Sequence, residues 1–159
     1  MQKLLSGAMF AGVVVFWLCC TGCGIFGAGG VKKPGKPDLI ISSVSPKGKL
    51  RMGNCNTVIV TLKNQSKNHG KSTTHTVLEV RKGKKNLAGP TVYTSGQDVW
   101  PVRGKTRKKL TFRGVRIPLT EEPSWYTLKA IADRNNDEEE FREDNNTRYR
   151  NKFVDEQCD

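Results

Sequence analysis

Seven carboxylates and four asparagines crowd residues 132–147, ADRNNDEEEFREDNNT, in a chain that is otherwise basic. Oxygen-rich side chains at this density suit two roles. A hard cation such as calcium takes six to eight oxygen ligands, and Asp133, Asn135, Asp137, Glu140, Glu143 and Asp144 can offer them from one loop. Asp and Asn also cap turns and tolerate unusual backbone angles, so the same residues fit a plain connection between two late strands. Residues 133–137 have the alternation of the first half of an EF-hand loop, but Glu138 stands where the turn glycine belongs. No helical pattern flanks it, which excludes an EF-hand. A calcium site of another kind and a hairpin turn both stand as expectations, and no cofactor is required.

Nucleophilic chemistry has thinner support. His69 and His75 flank a turn rich in Asn, Gly and Ser, so a nucleophile and base such as Ser72 with His75 can be paired on paper, with nothing to orient them. Neither a glycine-framed nucleophile elbow nor a phosphate loop is present, and neither histidine fits a metal motif of fixed spacing. Carboxylates of the acidic loop would be mobile and wet rather than held across a cleft, as glycoside hydrolysis needs. The chain is therefore expected not to be an enzyme.

Charge makes a second constellation. Lys and Arg number 27 against 15 Asp and Glu, a net charge of +12. Three clusters stand out: Lys47, Lys49 and Arg51; Arg81, Lys82, Lys84 and Lys85; and Arg103, Lys105, Arg107, Lys108 and Lys109. The last two supply the residues expected to meet a polyanion or a partner. A field of one sign attracts acidic polysaccharide, anionic headgroups or an acidic protein surface. Nucleic acid is not expected, because no aromatic stacking motif accompanies the charge.

These residues must be positioned by the elements around them, and the N-terminus is the first to set aside. Lys3 gives a short basic region, and residues 4–18 form an apolar stretch too short to span a bilayer comfortably. Residues 1–22 therefore read as a signal helix for export. Its end, Leu18-Cys19-Cys20-Thr21-Gly22-Cys23, resembles a bacterial lipoprotein signal, although Cys20 stands where leucine is preferred. The resemblance implies lipidation of Cys23. Acyl chains on that cysteine would hold the protein at a membrane at about 0.8 kcal/mol per buried CH2. Gly24, in place of Asp, resembles the sorting residue of outer-membrane lipoproteins. Residues 23–36, rich in Gly, Lys and Pro, form a flexible tether.

Of five cysteines, only Cys55 and Cys158 fall in the remaining domain, residues 37–159. An even pair in an exported chain is most simply a disulfide. Two cysteines without a histidine cluster do not make a zinc site.

The domain reads as all-β. Strands are expected at residues 38–44, 57–62, 74–81, 90–93, 109–115, 125–132 and 147–154, separated by turn-rich stretches that include residues 95–104. Seven short strands at that spacing point to a single immunoglobulin-like antiparallel sandwich. Its core candidates are Ile59, Leu78, Val80, Leu110, Phe112, Tyr126, Leu128 and Ala130, with Trp100 and Trp125 at its ends. In such a sandwich the start of the second strand and the end of the last share an end, which brings Cys55 near Cys158.

Three stretches carry a family resemblance: Pro37-Asp38-Leu39-Ile40-Ile41-Ser42-Ser43-Val44, then Val60-Thr61-Leu62-Lys63-Asn64-Gln65-Ser66, then Tyr126-Thr127-Leu128-Lys129-Ala130-Ile131-Ala132-Asp133 followed by Glu140 and Glu143-Asp144-Asn145-Asn146-Thr147. Over roughly residues 37–154 the chain resembles a CARDB domain, the cell-adhesion-related domain found in bacteria. Residues 95–116 lack the Gly-Glu turn usual in that family. The resemblance implies an adhesive or interaction role and names no ligand. The expectation is a non-catalytic, lipid-anchored module of the bacterial cell envelope, in the outer membrane where one exists. Its partner would be an envelope protein or an anionic polysaccharide. The alternative is a structural subunit that braces a larger envelope assembly.

Overall fold

The computed structural model describes residues 35–84, 89–120 and 122–159. The signal, Cys23 and Lys85 lie outside the described residues. Seven strands follow one another: β1 (Leu39–Pro46), β2 (Gly53–Asn64), β3 (Thr74–Lys82), β4 (Thr91–Val99), β5 (Arg107–Ile117), β6 (Ser124–Ile131) and β7 (Thr147–Val154). They form two antiparallel sheets, β1-β2-β5 and β4-β3-β6-β7. This is an immunoglobulin-like sandwich in which β4 joins the second sheet through β3.

Alternation decides which face each residue takes. Val58, Val60 and Leu62 of β2 point inward and meet Leu110 and Phe112 of β5, Leu78 and Val80 of β3, and Tyr126, Leu128 and Ala130 of β6 in one core. Seven of the expected core residues are in it, but Ile59 is not. Three consecutive apolar residues, Val58-Ile59-Val60, leave the phase of β2 undefined by pattern. The pairing resolves it by placing Ile59 beside Thr111 and Ser45 on the outer face. Trp100 is 74% exposed just past β4, and Trp125 lies against Phe153 at the opposite end.

The fourth strand runs further than expected. Residues 95–99, read as turn, continue β4 along β3 as Ser95↔Leu78 to Val99↔Thr74. Their polarity misleads because β4 is an edge strand, hydrogen-bonded on one side only. Gly96 has its own reason: a Cβ there would collide with the His75 ring.

Cys55, near the start of β2, is bonded to Cys158 with Cα atoms 5.9 Å apart. The C-terminal segment is drawn alongside Met52, whose N–H donates to Glu156 O and whose carbonyl accepts from Cys158 N–H, both at 2.8 Å. Gly53 makes this approach feasible. Its φ is +110°, and a Cβ would stand 2.8 Å from Cys158 Sγ.

Two measurements check this arrangement. Leu62→Ala should cost about 2–5 kcal/mol in urea unfolding, whereas Ile59→Ala should cost about 1 kcal/mol or less; the reverse order would mean that β2 is out of register. Replacing Cys55 and Cys158 by serine opens a loop of 103 residues. The double variant should lose about 4–5 kcal/mol, read as a lower denaturation midpoint.

Candidate functional site

The acidic loop turns three of its carboxyl groups, those of Asp133, Glu138 and Glu140, inward onto backbone. Asp133, with a left-handed φ of +42°, accepts N–H bonds from Asp137 and Glu138 at 2.9 Å each. Glu138 accepts from Lys71 N–H at 2.5 Å and Ser72 N–H at 2.6 Å. Glu140 accepts from Leu39 N–H and from the Asn146 amide, and Glu143 accepts from Glu140 N–H. Phe141 N–H donates to Pro37 O, Asn145 donates to Asp38, and Lys36 pairs with Glu139. The loop is thus a clasp on the segment where the chain enters β1.

Of the six oxygens expected around calcium, those of Asp133 and Glu140 are buried, at 1% and 4% exposure. Asn135, Asp137, Glu143 and Asp144 are exposed, and Asp144 pairs with Arg142. Among the described residues no three His, Cys, Asp or Glu side chains are disposed to hold a metal ion. Burial raises the Glu140 carboxyl to about 8 against the bonds from Leu39 and Asn146, with the nearby Glu143 and Asp133 charges adding to the rise. Burial likewise raises Asp133.

The histidines are separated. His75 Nδ1 lies 2.7 Å from Asp98 on the outer face of the four-stranded sheet, and His69 Nδ1 accepts Gly104 N–H at 3.0 Å. No hydrogen bond joins Ser72 to His75 among the described residues; Ser72 offers its N–H to Glu138 instead.

The structure sorts the basic residues by strand. Lys49 and Arg51 are paired with Glu156, and Arg51 also with Asp159, so that cluster is largely answered from within. Lys82 ends β3, and Lys84 Nζ sits 4.3 Å above the Trp125 ring. In the third cluster, Lys105 Nζ donates to Gln65 O at 2.5 Å while Arg103 lies exposed in the turn. Arg107 and Lys109 lie on the outer face of β5, and Lys108 falls on the opposite, half-buried side.

Strand pairing adds what the clusters did not contain. Lys63 stands directly opposite Arg107 on the outer face, and Arg113 continues the row beside Thr57. Arg148, Arg150 and Lys152 alternate along β7 at the inward-facing positions opposite Ala130, Leu128 and Tyr126. Arg150 reaches across to β1, donating to Val44 O at 3.3 Å and Ser45 Oγ at 3.1 Å. Strands β1, β2, β5 and β7 together carry nine Lys and Arg and no Asp or Glu.

Residues 36–150 match the CARDB family model. The chain belongs to the CARDB family. No match is found among curated protein sequences. Among solved structures, the chain is similar to the CARDB domain of a Pyrococcus furiosus protein in complex with di-metal ions. The identity is 22%, over 75% of this chain and 94% of that one, with a TM-score of 0.51. It is also similar to a domain named as part of a cell-surface protein of Methanosarcina acetivorans, at 23% identity over 77% of this chain and 95% of that one, with a TM-score of 0.52. These likenesses bear on the fold, and CARDB is a cell-adhesion-related domain family.

The CARDB match takes in the whole clasp as well as β1, β2 and β5. Sequence reading found Arg107 and Lys109 because they lie in a dense run. It missed Lys63, Arg113, Arg148 and Arg150, which are spread over three strands: pairing brings Lys63 and Arg113 into the row, and Arg150 reaches β1 across the seam between the sheets. The signal available was the absence of any acid from LIISSVSP, GNCNTVIVTLKN, RKKLTFRGVRI and TRYRNKFV.

The clasp has a pH signature. Folded Glu140 holds its proton to about 8, whereas the unfolded chain releases it near the ordinary value of 4.5. Between those two the folded state binds the extra proton, so the stability that Glu140 contributes is full below about pH 4.5 and is lost as pH rises through about 8. Glu140→Gln should flatten that decline in melting temperature measured from pH 4.5 to 8.5. An unchanged slope would assign the titration elsewhere.

Proposed function

We propose that this CARDB domain is a non-catalytic cell-surface interaction module that holds anionic envelope material against the outer face of β1-β2-β5. One observation carries the reading. Arg107 and Lys63 face each other with the same sign, on strands that contain no acid to separate them. Like charges directly opposite in a sheet are destabilising, and a bound polyanion relieves that repulsion. The cell-adhesion-related family and the cell-surface neighbour from Methanosarcina support the setting. The lipoprotein-like leader supports it further: Cys23 would carry the lipid, and residues 23–36 would give the domain reach from the membrane.

The alternative is a subunit that braces a larger envelope protein, and the two readings differ in their response to salt. Retention of solubilised envelope polymer by the immobilised full-length chain should fall steeply between about 50 and 500 mM salt as the charges are screened. Capture of one protein partner that persists at high salt would replace the polyanion reading with the bracing one.

A further inference from the structure

The outer face of β1-β2-β5 is ordered in rows at right angles to its strands. One row runs Lys109↔Thr61↔Ser43, and at the β1 edge Arg150 of β7 reaches across to Ser45. Neighbouring strands stand about 4.8 Å apart, so Lys109 and Ser43 are separated by roughly 10 Å. The hydroxyls of Thr61 and Ser43 make no hydrogen bond among the described residues.

Three features mark the β1 end of that row as built for a ligand group. The β1 register shifts between Ile41 and Ser43, and such bulges re-aim side chains. Ser42 spends its hydroxyl on Thr61 O at 3.0 Å, which pins the bulge. Arg150 is held by Val44 O and Ser45 Oγ, while Arg148, one pleat away, has no protein partner among the described residues. Between them lies a hollow of about 220 Å3, lined by Ser43, Val44, Arg148, Tyr149 and Arg150. That is smaller than a drug-sized pocket and suited to one sugar ring. No Asp or Glu occurs in β1, β6 or β7.

We infer that the anionic polymer is an acidic polysaccharide, and that it crosses the face from Lys109 over Thr61 and Ser43 to a carboxylate-bearing sugar at Arg148 and Arg150. The inference rests on the polyanion reading and gives it an address. A guanidinium presents paired N–H donors to a carboxylate, so Arg148 supplies direction as well as charge. Free hydroxyls between the two cationic ends match the hydroxyls of sugar rings lying over them. A lipid surface would meet flexible lysines at turns and would not need the hollow.

The test is the affinity of the full-length chain for hexagalacturonate, galacturonate monomer and polyphosphate at one ionic strength. Arg148→Gln and Lys109→Gln are compared with Arg142→Gln and Lys36→Gln, which remove the same charge beside the acidic loop. Hexagalacturonate is expected to bind, to outcompete polyphosphate, and to lose about tenfold with either track variant. The two control variants should change it less than twofold, and the monomer should feel Arg148→Gln but not Lys109→Gln. Equal losses in all four variants would leave a diffuse basic field and overturn the track. Tighter binding of polyphosphate would overturn the saccharide. Failure of every polyanion to bind would overturn the reading beneath both.

Discussion

A sandwich leaves backbone donors without partners wherever an edge strand begins, and in this domain the first of them, Leu39 N–H, is met by the buried carboxyl group of Glu140. Much else at this end follows from that contact. To bring Glu140 there, the β6–β7 connection must fold back over residues 36–39, and Asp133 does so by capping the two N–H groups that follow its left-handed turn. Asn64 plays the matching part from β2: its side chain accepts Asp38 N–H and Ser66 N–H and donates to Asn68 O and Val102 O. Buried polar groups are costly when unpaired. Asp133, Glu138, Glu140, Asn145 and Asn146 accordingly serve the architecture of this end.

The two seams between the sheets are closed by a related device. At one, Gln97 of β4 donates to Thr111 O of β5 at 2.8 Å; at the other, Arg150 of β7 donates to Val44 O of β1. In each case an edge strand of the four-stranded sheet occupies a carbonyl on an edge strand of the three-stranded one. A long polar side chain placed there blunts the edge against pairing with another chain. It leaves the faces, rather than the edges, as the surfaces on which a partner can be met.

How much of this was legible in the sequence depends on whether the information was local. Strand positions were, because alternation and turn residues are written in consecutive letters, and Tyr126-Thr127-Leu128-Lys129-Ala130 reads plainly. The phase of Val58-Ile59-Val60 was not, because an apolar run fits either face and only the partner strands choose. The end of β4 was hidden for the opposite reason: the edge-strand run Ser95-Gly96-Gln97-Asp98 carries no apolar residue and looks like a loop. Cys55 and Cys158 were the only two cysteines left to the domain, so composition sufficed for their pairing. In the acidic loop, composition fits both a cation site and a turn, and the backbone donors that Glu138 and Glu140 meet lie 66 to 101 residues away, out of reach of any local pattern. The basic track is the extreme case. Lys109 was legible as part of a run, but Arg148 belongs to the other sheet and joins it only through the β1–β7 seam.

The placement of charge then follows from the placement of carboxylates. Asp133, Glu138 and Glu140 are drawn into the clasp, Glu79 is enclosed by Lys129 and Arg134, and Glu156 is taken up by Lys49 and Arg51. With most acids engaged by backbone or by cations elsewhere, none among the described residues pairs with Lys63, Arg107, Lys109 or Arg113. A sheet carrying such a face is held together against its own repulsion, and the structure supplies the restraint at its two ends. The disulfide ties the start of β2 to the C-terminal segment, and the clasp ties the start of β1 to the β6–β7 connection. Both lie off the basic face itself. The face is therefore left uncompensated in a sheet whose ends are fixed, an arrangement in which a bound polyanion gains the full relief of the repulsion without having to order the strands that cause it.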